Sequence, residues 1–128
     1  MSPEGEIIDP NYTPPSDEIC LSLYKDMLSV SIMDIIMFDA QRQGRLSFYM
    51  TSQGEEGTCV GSASALEKED VVFSQYREAG VYMQRGFTFQ DFMAQLFANR
   101  NDAGKGRNMP VHYGSRKLNI VCSPTRTF

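Results

Sequence analysis

The 128-residue sequence contains no tryptophan, one histidine and only three cysteines. Cys20, Cys59 and Cys122 are widely spaced and form no C-x-x-C pair, so neither a disulfide framework nor a zinc site is indicated. Because His112 is the single histidine, a metal site with two histidine ligands within this chain is excluded. This cysteine usage is typical of a protein from a reducing compartment.

Long apolar runs and an excess of positive charge are also missing. No stretch of about 18 apolar residues occurs, which excludes a transmembrane helix and predicts no membrane partner. The 12 basic and 16 acidic residues give a net charge of -4, which argues against a nucleic-acid partner. No G-x-S-x-G motif is present, so a serine hydrolase is not indicated. Residues 1–10 lack the composition of a transit or secretory peptide.

The composition, 41% hydrophobic and 22% charged, is that of a globular protein. Residues 1–15 hold four prolines and few apolar side chains, which favours an extended N-terminal arm. Residues 16–121 alternate helical patterns with short apolar runs and indicate one α/β domain. Two candidate strands are too few for a complete sheet, so we expect an incomplete domain followed by a divergent tail at residues 122–128.

A long helix is predicted to begin after Ser16 as N-cap and to end at Gly44. Its main apolar stripe consists of Leu23, Met27, Val30, Met33 or Asp34, and Met37. Seven further apolar residues lie off this stripe: Leu21, Tyr24, Leu28, Ile32, Ile35, Ile36 and Phe38. A helix that is apolar on more than one face is normally buried on several sides, so we expect a partner chain to cover the second face.

The remaining elements are shorter. A glycine-bearing stretch at residues 44–61 leads to a small-residue helix predicted at residues 62–66. The apolar run at residues 71–73 predicts a parallel strand buried on both faces, and residues 118–122 indicate a second strand. Helices are predicted at residues 78–85 and from Thr88, which opens a near capping box. The last helix has one apolar face, formed by Phe89, Phe92, Met93, Leu96 and Phe97.

Three features approach known functional motifs but fall short of them. Residues 104–107 (GKGR) lack the glycine that a Walker phosphate loop needs five positions earlier, where Asn99 stands. Glu55 and Glu56 are adjacent and therefore point in divergent directions in most backbones, which disfavours an acid–base pair. His112 is a lone histidine, and such residues are more often structural than catalytic.

Gln75, Tyr76 and Arg77 directly follow the first predicted strand. In open α/β sheets, ligands bind beyond the carboxyl ends of the strands. A guanidinium fork, a phenol and an amide at this place can together hold a phosphate group. The alternative for Arg77 is an ordinary surface arginine in a salt bridge.

Four segments, taken together and in this order, are more specific than any single motif: residues 41–50 (QRQGRLSFYM), 54–57 (GEEG), 74–80 (SQYREAG) and 104–114 (GKGRNMPVHYG). Together they closely resemble the alpha subunit of branched-chain 2-oxo acid dehydrogenases. The resemblance runs from about residue 4 to residue 121 and implies an incomplete thiamine-diphosphate-binding fold. By position, Tyr76 and Arg77 match residues that contact the cofactor diphosphate in that family, and Gln75 lies beside them.

The resemblance also implies a biological setting. The family works in the mitochondrial matrix, in branched-chain amino acid catabolism. It decarboxylates branched-chain 2-oxo acids oxidatively and transfers the acyl group to a lipoyl-bearing acyltransferase core. The alpha subunit joins a beta subunit in an α2β2 heterotetramer that binds thiamine diphosphate, magnesium and potassium.

The sequence departs from the family after Val121. There the family has a serine-serine-proline segment that contacts the cofactor and helps hold potassium, whereas this chain reads Cys122-Ser123-Pro124. The downstream magnesium motif and the loop with the catalytic histidine do not occur in these 128 residues. We therefore expect no metal ligand and no catalytic residue here, and inactivity of this chain alone. Alternatives are a pyruvate or acetoin dehydrogenase alpha subunit, which residues 45–50 and 109–114 disfavour, or a non-catalytic truncated product that at most binds the beta subunit.

Overall fold

A computed structural model describes residues 2–123 of the chain, so the predicted tail lies outside the described residues from position 124 onward. The helices in this part are α1 (Asp17–Arg42), α2 (Glu56–Ser64), α3 (Ala79–Gln84) and α4 (Phe89–Leu96). Strand β1 (Val72–Ser74) pairs in parallel with β2 (Ile120–Cys122), which follows a 3-10 helix (Arg116–Leu118). Helices thus combine with a small parallel sheet, as in a partial α/β fold. Residues 3–16 are exposed and contain turns but no helix or strand.

Helix α1 begins and ends as its sequence predicts. The Ser16 hydroxyl accepts a hydrogen bond from the Ile19 amide at 3.5 Å, and Gly44 follows the helix with a φ of +74°. The buried residues of α1 are Val30, Met33, Asp34 and Met37, so both candidates for the inner stripe face the core. Neither α1 nor any other helix among residues 2–123 has the length and apolar composition needed to cross a membrane.

The centre of the core is an aromatic cluster formed by Tyr82, Phe87, Phe92 and Tyr113. Their ring centroids lie between 4.8 and 6.5 Å apart, mostly in edge-to-face pairs, which is a favourable geometry for aromatic rings. The Tyr82 hydroxyl hydrogen-bonds with the carbonyl oxygen of Tyr113 at 2.5 Å and also with the Ser74 hydroxyl. The cluster therefore fixes the carboxyl end of β1.

Helix α2 differs from its prediction, because it begins at Glu56 and not at residue 62. The sequence interpretation treated the glycines of this stretch as turn residues, but Gly57 and Gly61 both lie inside α2. Glycine weakens an isolated helix. Here contacts with α1 and α3, which bury Cys59, Val60 and Ala63, outweigh that preference.

Two burial predictions were also wrong. Val71 and Phe73 are 59% and 71% exposed, because one side of the two-stranded sheet is not covered by the described residues. On α4, Phe89 and Phe97 are exposed, whereas Gln95 is buried. Gln95 faces inward because its amide group accepts a hydrogen bond from the Val111 backbone N–H and donates one to the Met109 carbonyl.

Candidate functional site

Gln75, Tyr76 and Arg77 lie directly beyond the carboxyl end of β1, where the sequence placed them. The backbone N–H of Gln75 donates to a carboxylate oxygen of Glu78 at 2.9 Å, which closes the turn between β1 and α3. Directly after the neighbouring strand β2, the Ser123 N–H donates to the Ser74 carbonyl at 2.7 Å. Ser123 therefore lies at the same sheet edge as the three predicted residues.

The side chain of Arg77 is half exposed and has polar contacts with two side chains. Its guanidinium lies 3.5 Å from the Glu55 carboxylate, and the two side chains are 50% and 46% exposed. Its Nε–H donates to the Met50 sulfur at 3.1 Å. The salt bridge expected for an ordinary surface arginine therefore exists. An exposed ion pair of this kind stabilises the folded chain by only about 0 to 1 kcal/mol. An incoming anion could replace Glu55 at small cost.

Tyr76 connects Arg77 with the loop that carries the lone histidine. The guanidinium carbon of Arg77 lies 5.9 Å from the centroid of the Tyr76 ring, within the range of a cation–π contact. The centroid of the Tyr76 ring also lies 6.2 Å from that of the His112 ring. A ring nitrogen of His112 lies 3.1 Å from the Pro110 carbonyl oxygen. Tyr76 and His112, which are 36 positions apart in the sequence, are thus neighbours at this edge.

The backbone of Arg77 is anchored from the interior. The buried Ser52 hydroxyl donates to the Arg77 carbonyl at 3.1 Å, and the Cys59 thiol contacts the same oxygen at 3.8 Å. Burial raises the pKa of the Cys59 thiol, and Glu78, Glu55 and Glu56 raise it further, so the thiol keeps its proton and can act as a donor. Arg77 therefore presents its side chain outward while its carbonyl is held inside.

Asp34 of α1 lies behind this anchor. Asp34 is only 4% exposed. Its carboxylate accepts hydrogen bonds from the Ser52 backbone N–H at 2.5 Å and from the Tyr49 hydroxyl at 2.7 Å. Burial raises the pKa of Asp34 and the Glu56 carboxylate adds to the shift, while these two hydrogen bonds act in the opposite direction. A buried carboxylate is stable only when it is satisfied in this way.

The candidate site holds side chains that can bind an anion but few that can bind a metal ion. Among residues 2–123, no group of three or more histidine, cysteine, aspartate or glutamate side chains could hold a metal ion. Arg77 offers a planar, permanently charged fork, and Tyr76 offers a hydroxyl donor. The Glu55 carboxylate close to Arg77 opposes an anion, so Arg77 must supply most of the attraction.

Sequence reasoning found the outward-facing residues and missed those behind them. Asp34 was noted as a position on the inner stripe of α1, but no role was assigned to it. Its signal is a carboxylate among inner-stripe positions that are otherwise Leu, Val or Met. Ser52 gives no such signal, because serine is common in loops and its contact with Arg77 spans 25 positions.

The chain matches a known protein family over most of its length. The sequence profile of the family described as dehydrogenase E1 component matches residues 24–124 of the chain. The matched region includes every residue of the candidate site.

Individual relatives give a narrower likeness. The chain is 53% identical to 2-oxoisovalerate dehydrogenase subunit alpha, mitochondrial, of Caenorhabditis elegans over 118 residues, which cover 91% of this chain and 27% of that protein. It is 51% identical to the Dictyostelium discoideum protein of the same name, over 99% of this chain and 30% of that protein. The Homo sapiens protein of that name is 53% identical over 94% of this chain and 27% of its own length. The chain therefore spans less than a third of the length of these relatives.

Proposed function

Because this chain belongs to the dehydrogenase E1 component family, we propose that it is part of the alpha subunit of a branched-chain 2-oxo acid dehydrogenase. The whole protein would catalyse the oxidative decarboxylation of branched-chain 2-oxo acids and transfer the acyl group to lipoyl groups. Identities of 51% to 53% with proteins named 2-oxoisovalerate dehydrogenase subunit alpha support the branched-chain assignment over the pyruvate and acetoin alternatives.

The proposed setting follows from the same relatives and from the resemblance described above. We assign the intact subunit to the mitochondrion, in accordance with the names of the relatives, and more narrowly to the matrix. We expect it to pair with a beta subunit in an α2β2 heterotetramer and to deliver acyl groups to a lipoyl-bearing acyltransferase core. The outward apolar residues of α1 are suited to contacts within such an assembly.

Within this chain, we assign Gln75, Tyr76 and Arg77 to the diphosphate end of thiamine diphosphate. The observation that carries this proposal is the half-exposed guanidinium of Arg77, held beside Tyr76 at the carboxyl edge of the sheet by its own backbone. Its ion pair with Glu55 is weak enough to be exchanged for a phosphate oxygen. Arg77 would donate hydrogen bonds to the diphosphate with its planar fork, and Tyr76 would donate one from its hydroxyl group.

Thiamine diphosphate, when bound, supplies the stabilised carbanion chemistry on which decarboxylation of a 2-oxo acid depends. The residues of this chain would bind and orient its charged end rather than take part in bond breaking. We assign no catalytic residue to the described part of the chain. We also assign it no ligand for the magnesium and potassium ions that the resemblance implies.

Calorimetric titration of thiamine diphosphate into the assembled enzyme tests the assignment of Arg77. The enzyme is a full-length alpha subunit that carries this sequence, combined with its beta subunit at fixed magnesium and salt concentrations. Arg77→Ala leaves phosphate charge unpaired in a partly dehydrated site, which should cost about 2 to 5 kcal/mol of binding free energy. That loss corresponds to at least about a tenfold weaker affinity. Arg77→Lys should recover only part of it, because an ammonium group cannot form a planar two-pronged contact.

Two control variants separate this proposal from the salt-bridge alternative. Lys105→Ala removes an exposed cation elsewhere and should leave the affinity nearly unchanged. Glu55→Gln removes the present ion-pair partner of Arg77 and should leave the affinity equal or slightly higher. If Arg77→Ala binds thiamine diphosphate as tightly as the wild type, with assembly intact, Arg77 is only the surface ion pair and the site assignment is wrong.

The substrate assignment has its own test. The assembled enzyme should release carbon dioxide from 3-methyl-2-oxobutanoate much faster than from pyruvate at equal concentrations. A preference for pyruvate would revive the pyruvate dehydrogenase alternative without changing the cofactor assignment.

A further inference from the structure

Ser52 connects the two sides of the candidate site. Its hydroxyl donates to the Arg77 carbonyl at 3.1 Å, and its own carbonyl accepts the backbone N–H of Glu55 at 2.9 Å. Arg77 and Glu55 are the two members of the exposed ion pair. One buried serine, 2% exposed, therefore holds the backbone of both charged residues.

Ser52 is in turn fixed by α1. Its N–H donates to one carboxylate oxygen of Asp34 at 2.5 Å, while the other oxygen accepts the Tyr49 hydroxyl at 2.7 Å. A single side chain on the long helix thus determines where the loop at residues 49–52 lies. Charge-assisted hydrogen bonds of this kind are stronger than neutral ones, so the link is stiff.

A carboxylate at position 34 is unusual for the inward side of α1. The neighbouring inward residues of α1 are Val30, Met33 and Met37, which pack without any polar group. Removing a carboxylate from water costs free energy, and a well-packed apolar residue would stabilise the core at least as well. Packing therefore does not account for Asp34, whereas its bond to Ser52 leads directly to the backbone of Arg77.

We propose that Asp34 and Ser52 are positioning residues for the diphosphate site, and that they act through the backbone carbonyl of Arg77. This inference rests on the proposed function of Arg77. Neither residue needs to touch the ligand. They limit the places that the guanidinium can reach, so that less conformational freedom is lost when the phosphate binds.

A double-mutant cycle in the assembled enzyme tests this link, with the dissociation constant of thiamine diphosphate as the readout. Ser52→Ala removes one hydrogen bond to the Arg77 carbonyl and should weaken binding by about three- to tenfold. In the Arg77→Ala background the same change should have no further effect, because the side chain that it positions is gone. A merely structural role for Ser52 would lower the affinity by the same factor in both backgrounds.

Further variants keep the test independent of folding defects. Ser52→Cys retains a weak donor of similar size and should restore part of the affinity. Asp34→Asn keeps the shape but offers only one acceptor oxygen, so it should weaken binding in the Arg77 background and not in the Arg77→Ala background. Ser64→Ala is the matched control, since Ser64 donates to a carbonyl within α2 and does not contact the site.

The outcomes distinguish the two proposals. If Arg77→Ala weakens binding but Ser52→Ala does not, or does so equally in both backgrounds, the positioning role is overturned and the function of Arg77 stands. If Arg77→Ala leaves the affinity unchanged, the proposed function of Arg77 is itself overturned, and the positioning role with it.

Discussion

The aromatic cluster and the outer side of α1 are both rich in large apolar residues, yet their surroundings differ completely. In the cluster, Tyr82, Phe87, Phe92 and Tyr113 are each at most 7% exposed. The outer face of α1 consists of seven residues that are 39% to 63% exposed: Leu21, Tyr24, Leu28, Ile32, Ile35, Ile36 and Phe38. Composition alone therefore does not distinguish a closed core from an open surface.

The difference reflects which partners each region has. The cluster joins α3, α4 and the segments before β2, so every ring has neighbours on several sides. The outer face of α1 has no comparable cover among residues 2–123. Cover of this face by a partner chain, as expected from its apolar residues, therefore stays a prediction.

The largest expected difference between the two regions is in the cost of removing a side chain. Phe92 is fully buried, so Phe92→Ala should lower the free energy of unfolding by about 3 to 5 kcal/mol. Ile35 is 63% exposed, so Ile35→Ala should change it by less than about 0.5 kcal/mol. Urea denaturation of the isolated chain, followed by circular dichroism, measures both. Similar losses for the two variants would mean that the outer face is covered in solution, for example by a second copy.

A smaller effect should come from the contact between α2 and α3. A Cβ atom at Gly80 would lie 2.9 Å from the Cys59 Cβ and 3.0 Å from a Val60 methyl group. Gly80→Ala should therefore destabilise the chain by about 1 to 3 kcal/mol through overpacking. Gly61→Ala is the matched control, because a Cβ atom there meets nothing within 4 Å and alanine favours the helix. Thermal unfolding should show a lower melting temperature for Gly80→Ala and a higher one for Gly61→Ala. An unchanged or higher melting temperature for Gly80→Ala would mean that the contact at Gly80 is looser than the structure indicates.

The local part of the fold was predictable from the sequence. The N-cap of α1 at Ser16 and the capping box at Thr88 depend on residues a few positions apart, and both are present. Burial depends on distant segments and was predicted less well. The strand at Phe73 and the ends of the apolar face of α4 are exposed, because no element among residues 2–123 covers them.

The candidate site divides in the same way. Gln75, Tyr76 and Arg77 were placed beyond the strand from chain order and chemistry, and the structure has them there, while their contact with a ligand stays a prediction. Ser52 and Asp34 could not be found in that way, because they reach Arg77 only through tertiary contacts across 25 and 43 sequence positions. The sequence can therefore suggest residues for ligand contact by their chemistry, whereas buried partners such as Ser52 and Asp34 become visible only in the fold.

Substitutions on the outer face of α1 are expected to have little effect on stability. In the double variant Ile32→Glu with Ile36→Lys, two exposed residues become an ion pair at i and i+4, in the favourable order. The free energy of unfolding should change by less than about 0.5 kcal/mol, while binding of a hydrophobic fluorescent dye should fall clearly. Lys25→Gln on the same helix changes charge without apolar area and should leave the dye signal unchanged. Unaltered dye fluorescence in the double variant would show that the dye binds elsewhere and that this face is not the open one.

The most subtle test concerns Asp34, which lies on the closed side of the same helix. Burial raises the pKa of its carboxyl above the ordinary value of 3.8 in the folded chain. Between 3.8 and the raised value, the folded chain binds more protons than the unfolded chain, so the contribution of Asp34 to stability falls as the pH rises through this window. Above the window the contribution is constant. The side chain of Asp34→Asn cannot titrate. Its loss of an acceptor for the Ser52 N–H changes the free energy of unfolding by an amount that does not depend on pH.

The free energy of unfolding of the wild type minus that of Asp34→Asn should therefore decrease as the pH rises through the window and then level off. The difference removes the titration of other carboxylates, such as Asp26, because both proteins contain them. Tyr49 and Tyr113 lie near Asp34, but burial raises the pKa of both phenols above their usual range, so they stay protonated throughout. Urea denaturation at half-unit pH steps gives the required curve. Parallel curves for the two proteins would mean that burial does not raise the pKa of Asp34, because water or the Tyr49 and Ser52 hydrogen bonds compensate for it fully. The inner side of α1 would then be less closed than the aromatic cluster beside it.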